Sequence, residues 1–193
     1  HPILQRLCLE QKSKMKKNFV VTGGKAAGKT SFTEKLAELL KDKKNLHISG
    51  FLSKGFWENN QRSHYVLRDF QTGQNLLLCK AGKTLGWIEG GPYSFNPEAI
   101  RMGEKIIATI SANCQLIILD EIGKLELNEK IWHRLLTGLV HKNNCNLLLV
   151  IREEFVQQVI EKYRIHNVNI LNISQTNPES AAQLIHRSIT TAS

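Results

Sequence analysis

The 193-residue chain is long enough to bury one hydrophobic core, and its 41% hydrophobic and 22% charged residues are those of a globular domain. Its apolar runs fall far short of membrane-spanning length and no signal-peptide core opens it, so a membrane span is excluded and a cytoplasmic protein is expected. The net charge of +9 suits a protein that handles polyanionic nucleotides; nucleic acid is the other polyanion it fits, but no basic cluster carries the interleaved aromatics of a strand-binding groove.

In chain order, residues 1–14 read as a leader or the tail of an upstream domain, with Ile3, Leu4, Leu7 and Cys8 at helical spacing, and residues 15–193 as the domain proper. "FVVT" (19–22) predicts a short buried strand, and a helix follows over about 29–41 with Phe32, Leu36, Leu39 and Leu40 on its apolar side. "HISGFLS" (47–53) predicts a second strand, and 63–70 and 74–79 a hairpin around "QTGQ". Asn96-Pro97-Glu98 and Asn177-Pro178-Glu179 carry the cap, first-turn proline and acid that open helices. Between them come a strand at 116–120, a helix from about 128, a strand at 146–151, a helix from 153 and a strand at 168–173. Alternation of strand and helix implies a three-layer α/β sandwich: a mostly parallel sheet with helices on both faces, and an antiparallel insertion at about 55–95 extending one edge. The cysteines (Cys8, Cys79, Cys114, Cys145) show no metal-ligand spacing, and Cys114 and Cys145 read as small core residues.

"GGKAAGKT" (23–30) lies between the first strand and the first helix and matches G-x-x-x-x-G-K-[ST], the phosphate loop. The four residues between the glycines let successive amides turn inward as an anion nest, and the helix adds its positive end. Gly23, Gly24, Lys25, Ala26, Ala27, Gly28, Lys29, Thr30 and Ser31 are therefore the candidate nucleotide-binding residues. Lys29 would meet the β- and γ-phosphates, and the Thr30 hydroxyl would ligate Mg²⁺. Lys25 reads as a solvated lysine on the outer side of the loop.

"QLIILDEIGKLEL" (115–127) drives an apolar strand into two acids, Asp120 and Glu121. Asp120 is placed as the second metal-site residue, beside Thr30, where the cation and Lys29 offset its charge. Glu121 is placed at the turn, as the general base for an attacking water.

"LDEIGKLEL" joined to the loop resembles the cancer-related nucleoside-triphosphatase family first described in thermophiles, whose members read D-E-I-G-K-[ML]-E here. The likeness includes "SGFLSKGFWENNQRSHYVLRDFQTG" (49–73) and "GPYSFNPEA" (91–99), and covers roughly residues 17 to 190. It implies a phosphate-loop fold and Mg²⁺-dependent hydrolysis of ATP, GTP and other nucleoside triphosphates. The chain departs from the family in the loop, where Lys25 and Ala26 stand at its Pro and second Gly positions. By analogy with phosphate-loop enzymes that carry a catalytic Glu, strand 146–151 would lie between the loop strand and the Asp strand, and Arg152 at its end would either stabilise transition-state charge or pair with a nearby acid. Lys124, part of the family pattern, would contact phosphate or pair with an acid such as Glu126. Lys54 and Arg62 either fold over the nucleotide on a lid or are solvated. A kinase acting on a nucleoside, nucleotide or polynucleotide end and a nucleotide-binding regulatory module are the rival readings.

Overall fold

The computed structural model describes residues 16–142 and 145–191; the expectations for residues 1–14 lie outside them. The apolar runs form the strands β1 (Asn18–Gly23), β2 (Ile48–Glu58), β7 (Leu116–Ile122), β8 (Asn146–Arg152) and β9 (Val168–Asn172), all mutually parallel in the spatial order β2-β7-β8-β1-β9. The insertion adds β3 (Gln61–Asp69), β4 (Asn75–Ala81), β5 (Ile88–Gly90) and β6 (Tyr93–Phe95), antiparallel, beyond β2. The strand carrying Asp120 is thus separated from the loop strand by β8, as expected. Gly50 lets β2 approach β7: its φ is +114° and an added β-carbon would fall 2.0 Å from the Ile118 carbonyl oxygen.

Central strands are apolar throughout because each face is covered. On one side Phe19, Val21, Ile118, Leu148 and Val150 pack against helices α1 (Lys29–Asp42) and α6 (Pro178–Thr190) through Leu36, Leu40, Ala181 and Ile185. On the other Val20, Ile117, Leu119, Leu149 and Ile151 meet α2 (Pro97–Ala108), α4 (His133–Lys142) and α5 (Val156–Tyr163) through Ala99, Ile106, Leu136, Leu139 and Val159. Asn96 and Asn177 cap α2 and α6 through their side chains, as their spacing predicts. No helix among the described residues is long and apolar enough to cross a membrane.

Two boundaries differ from expectation. The strand with the acids does not stop at Asp120. It bulges between Leu119 and Ile122 and pairs again at Ile122 with Ile151. The helix expected from about 128 is instead a single short turn, α3 (Lys124–Leu127), a loop with Glu129 and Ile131 at positive φ, and then α4. Helix α5 likewise starts at Val156, after a 3-10 turn at Glu153–Phe155.

The parallel register of β7 and β8 brings Cys114 and Cys145 side by side at the strands' entry. They are half-buried, and the Cys145 thiol donates to Cys114 Sγ at 3.8 Å. That donation brings the Cys114 thiol down to about 7 and pushes Cys145 up, whereas burial pushes Cys79 up to about 12. Near neutral pH, iodoacetamide should therefore label Cys114 well before Cys79, and Cys145→Ala should move Cys114 labelling to higher pH. Site-resolved mass spectrometry across a pH series checks this, and equal labelling of Cys79 would contradict it.

Candidate nucleotide site

The loop between β1 and α1 has a defined backbone. Gly28 caps α1 at φ 92°, and its carbonyl accepts from the Phe32 amide at 2.9 Å. Ala27 N donates to the Gly24 carbonyl at 3.3 Å, closing a turn around Lys25 and Ala26. Ala26, at the family's second glycine position, takes φ +57°, a conformation that costs an L-residue roughly 1–2 kcal/mol. Gly24, Lys25, Ala26, Ala27, Gly28 and Ser31 are exposed, so the loop is open to a ligand and Lys25 is solvated as expected. Gly23 is buried at the end of β1. The orphan amides of the first turn of α1 stand at Lys29, Thr30 and Ser31.

Lys29 is buried and folds back on the loop, donating to the carbonyls of Gly24 (2.7 Å) and Gly23 (3.2 Å). Burial lowers its pKa. The charges of Glu121 and Asp120 raise it, and that of Arg152 lowers it. These four groups therefore share one electrostatic neighbourhood.

Asp120 is fully buried and organised on both oxygens. Oδ2 accepts from the Thr30 hydroxyl (2.9 Å) and the Ser53 amide (3.1 Å), and Oδ1 from the Glu121 amide (2.8 Å). Thr30 and Asp120, 90 residues apart, are thus in direct contact. Burial, then the Glu121 charge, pushes the Asp120 carboxyl up to about 7 despite these donors. The bulge explains the neighbouring acids' different fates. Glu121 takes φ +60° at the bulge and is exposed, whereas Asp120 is buried.

Arg152 pairs in register with Gly23, beside the loop, but donates to Glu154 Oε1 at 3.1 Å with its guanidinium 5.7 Å from the Phe155 ring. Lys124 is exposed at the start of α3 and does not pair with Glu126. The Glu126 carboxylate is instead buried, accepting from the amides of Gly123 (2.9 Å) and Trp132 (3.2 Å). Lys54 is held by Glu34 of α1 at 2.9 Å, and so belongs to the sheet–helix seam and not to a lid. The sequence does not disclose Ser53, and it offers Glu126 only as a partner for Lys124. Ser53 could have been found from its place at the ligand end of the strand next to Asp120; the motif marks Glu126, but not that it accepts from the Gly123 and Trp132 amides.

A profile of the family described as NTPase matches residues 18–186. The nucleoside-triphosphatase THEP1 of Archaeoglobus fulgidus is 30% identical over 152 residues, covering 74% of this chain and 88% of that protein. That of Methanosarcina barkeri is 27% identical over 158 residues, covering 81% and 88%. The solution structure of a human cancer-related nucleoside triphosphatase superposes with a TM-score of 0.68 at 18% identity, covering 92% of this chain and 99% of that one. THEP1 from Aquifex aeolicus gives 0.61 at 20% identity, covering 90% and 97%. The two superpositions speak for the fold. The profile spans the loop, the acid pair and every strand of the sheet, and with it the chain belongs to the NTPase family, on a phosphate-loop α/β fold.

Proposed function

We propose that the chain hydrolyses nucleoside triphosphates, ATP and GTP among them, to diphosphate and phosphate with Mg²⁺, the attacking water being activated by Glu121. The observation that carries this is the contact of Thr30 with Asp120, with Lys29 and Glu121 in the same electrostatic neighbourhood. A hydroxyl and a carboxylate are hard oxygen donors of the kind Mg²⁺ takes alongside water and substrate phosphates. Ser53, whose amide donates to Asp120, also has a buried hydroxyl without a partner among the described residues. Mg²⁺ held by Thr30 and Asp120 would neutralise charge on the terminal phosphates.

The protein's own groups divide the remaining work. The loop amides and Lys29 hold the β- and γ-phosphates, Lys29 exchanging its loop carbonyls for phosphate oxygens. Glu121, exposed at the bulge of β7, takes a proton from water as the water oxygen bonds to the γ-phosphorus. The bond from that phosphorus to the bridging oxygen breaks and the diphosphate leaves. Arg152 releases Glu154 to stabilise the charge that develops, and Lys124, exposed at the start of α3, offers a second cation to phosphate. Phosphate release assayed with Mg²⁺ and with a chelator tests the reading. Lys29→Ala should lower it by about a hundredfold or more. Release indifferent to both chelation and Lys29→Ala would overturn it.

A further inference from the structure

Arg62 stands on the hairpin that carries β2 past the acid pair. Ser53, whose amide holds Asp120, is followed two residues later by Gly55, about 7 Å further along β2 and level with the end of the acid strand. The Arg62 guanidinium lies directly on Gly55, where an added β-carbon would fall 2.1 Å from Nη1. Two rings hold it there: Cζ is 4.5 Å from the Trp57 centroid and 5.3 Å from that of Tyr65. Tyr65 meets Tyr93 edge-on at 5.5 Å, and the Tyr93 hydroxyl donates to the Arg62 carbonyl at 3.4 Å. The charge of Glu121 acts on both tyrosines.

The clamp leaves the guanidinium uncommitted. Arg68 is taken by Glu34 (2.6 Å) and Arg152 by Glu154 (3.1 Å), but no carboxylate among the described residues pairs with Arg62. Stacking on aromatic faces fixes the plane of an arginine while its N–H fork stays available to an anion. The sheet order says which anion. The loop follows β1, Asp120 lies on β7, and β2 comes next beyond β7. A nucleotide whose inner phosphates fill the loop and whose metal site is Asp120 extends its terminal phosphate toward β2 and its hairpin.

We propose that Arg62 binds the terminal phosphate and so makes the site prefer triphosphate to diphosphate. This rests on the loop and acid pair being the nucleotide site, and adds a residue of the insertion to it. The test is calorimetric titration of a non-hydrolysable triphosphate analogue and of the diphosphate, both with Mg²⁺. Arg62→Ala should weaken the triphosphate about tenfold or more, as for a lost charge-assisted hydrogen bond, and leave the diphosphate unchanged. Gly55→Ala keeps the arginine but displaces its guanidinium, and should give the same pattern. Arg62→Lys, which keeps the charge without the fork, should fall between. Unchanged triphosphate binding in Arg62→Ala, or equal weakening of both nucleotides, would overturn the proposal. Lys29→Ala separates the two levels: if it binds both nucleotides as wild type does, the site reading itself fails, whatever Arg62 does.

Discussion

Glu121→Gln is expected to slow phosphate release by about a hundredfold or more while triphosphate binding persists, since a positioned general base contributes roughly 10²–10⁴-fold. The substitution keeps the side chain's size and removes only its ability to take a proton. It also spares the backbone arrangement that matters for Asp120, whose Oδ1 accepts from the amide of residue 121 and not from its side chain. The bulge at 120–121 is the reason two adjacent acids can be separated in this way. Asp120 remains buried under Thr30 and Ser53, while Glu121, at φ +60°, is exposed. Holding a glutamate in that conformation costs about 1–2 kcal/mol, a strain of the kind tolerated where a side chain must be aimed. Single-turnover phosphate release, paired with titration of the triphosphate, checks the prediction. Turnover equal to wild type would remove Glu121 from the chemistry and leave hydrolysis to the metal site at Thr30 and Asp120 and to Lys29.

The parts of this site that could be read from the sequence are those whose chemistry is local. Gly28-Lys29-Thr30 sits where a strand pattern gives way to a helix pattern, and the continuous apolar run into Asp120 can only be a covered strand, so loop and acid were both placed. The order of β7, β8 and β1 followed from the parallel rhythm together with the likeness to related enzymes. What escaped was set by side chains reaching across sequence. Glu126 draws the amides of Gly123 and Trp132 onto its carboxylate, and that capture, not periodicity, ends α3 and delays the next helix to His133. Glu34, on α1, takes both Lys54 and Arg68, so Lys54 is fastened to the seam where the sequence left it open to a lid. Arg62 differs from Lys54 only in what faces it, two rings and a glycine instead of a carboxylate, and that difference is invisible until β2 and β3 are in register.

Trp132→Ala should destabilise the protein by about 3–5 kcal/mol, the usual cost of emptying a large aromatic site. The indole is 2% exposed, its ring lies 4.7 Å from that of Phe51, and its edge fills the space where a β-carbon on Gly103 would fall 2.5 Å away. Rigid strand and helix backbone on two sides leave little room for collapse, which favours the upper end of that range. The loss should also reach the site by two short routes. Phe51 pairs with Leu119, the residue before Asp120, and the Trp132 amide is one of the two that hold Glu126 against Gly123. Denaturant titration should therefore show a lower midpoint with an unchanged slope, and bound nucleotide should restore part of the difference by binding only the folded state. Trp57→Ala provides the contrast. That ring is 55% exposed at the hairpin and should change stability by no more than about 0.5 kcal/mol, while loosening the Arg62 clamp and with it the preference for triphosphate. If Trp57→Ala instead unfolded the protein as readily as Trp132→Ala, the hairpin would have to be counted part of the core, and its separation from the scaffold as a ligand-reading element would fall.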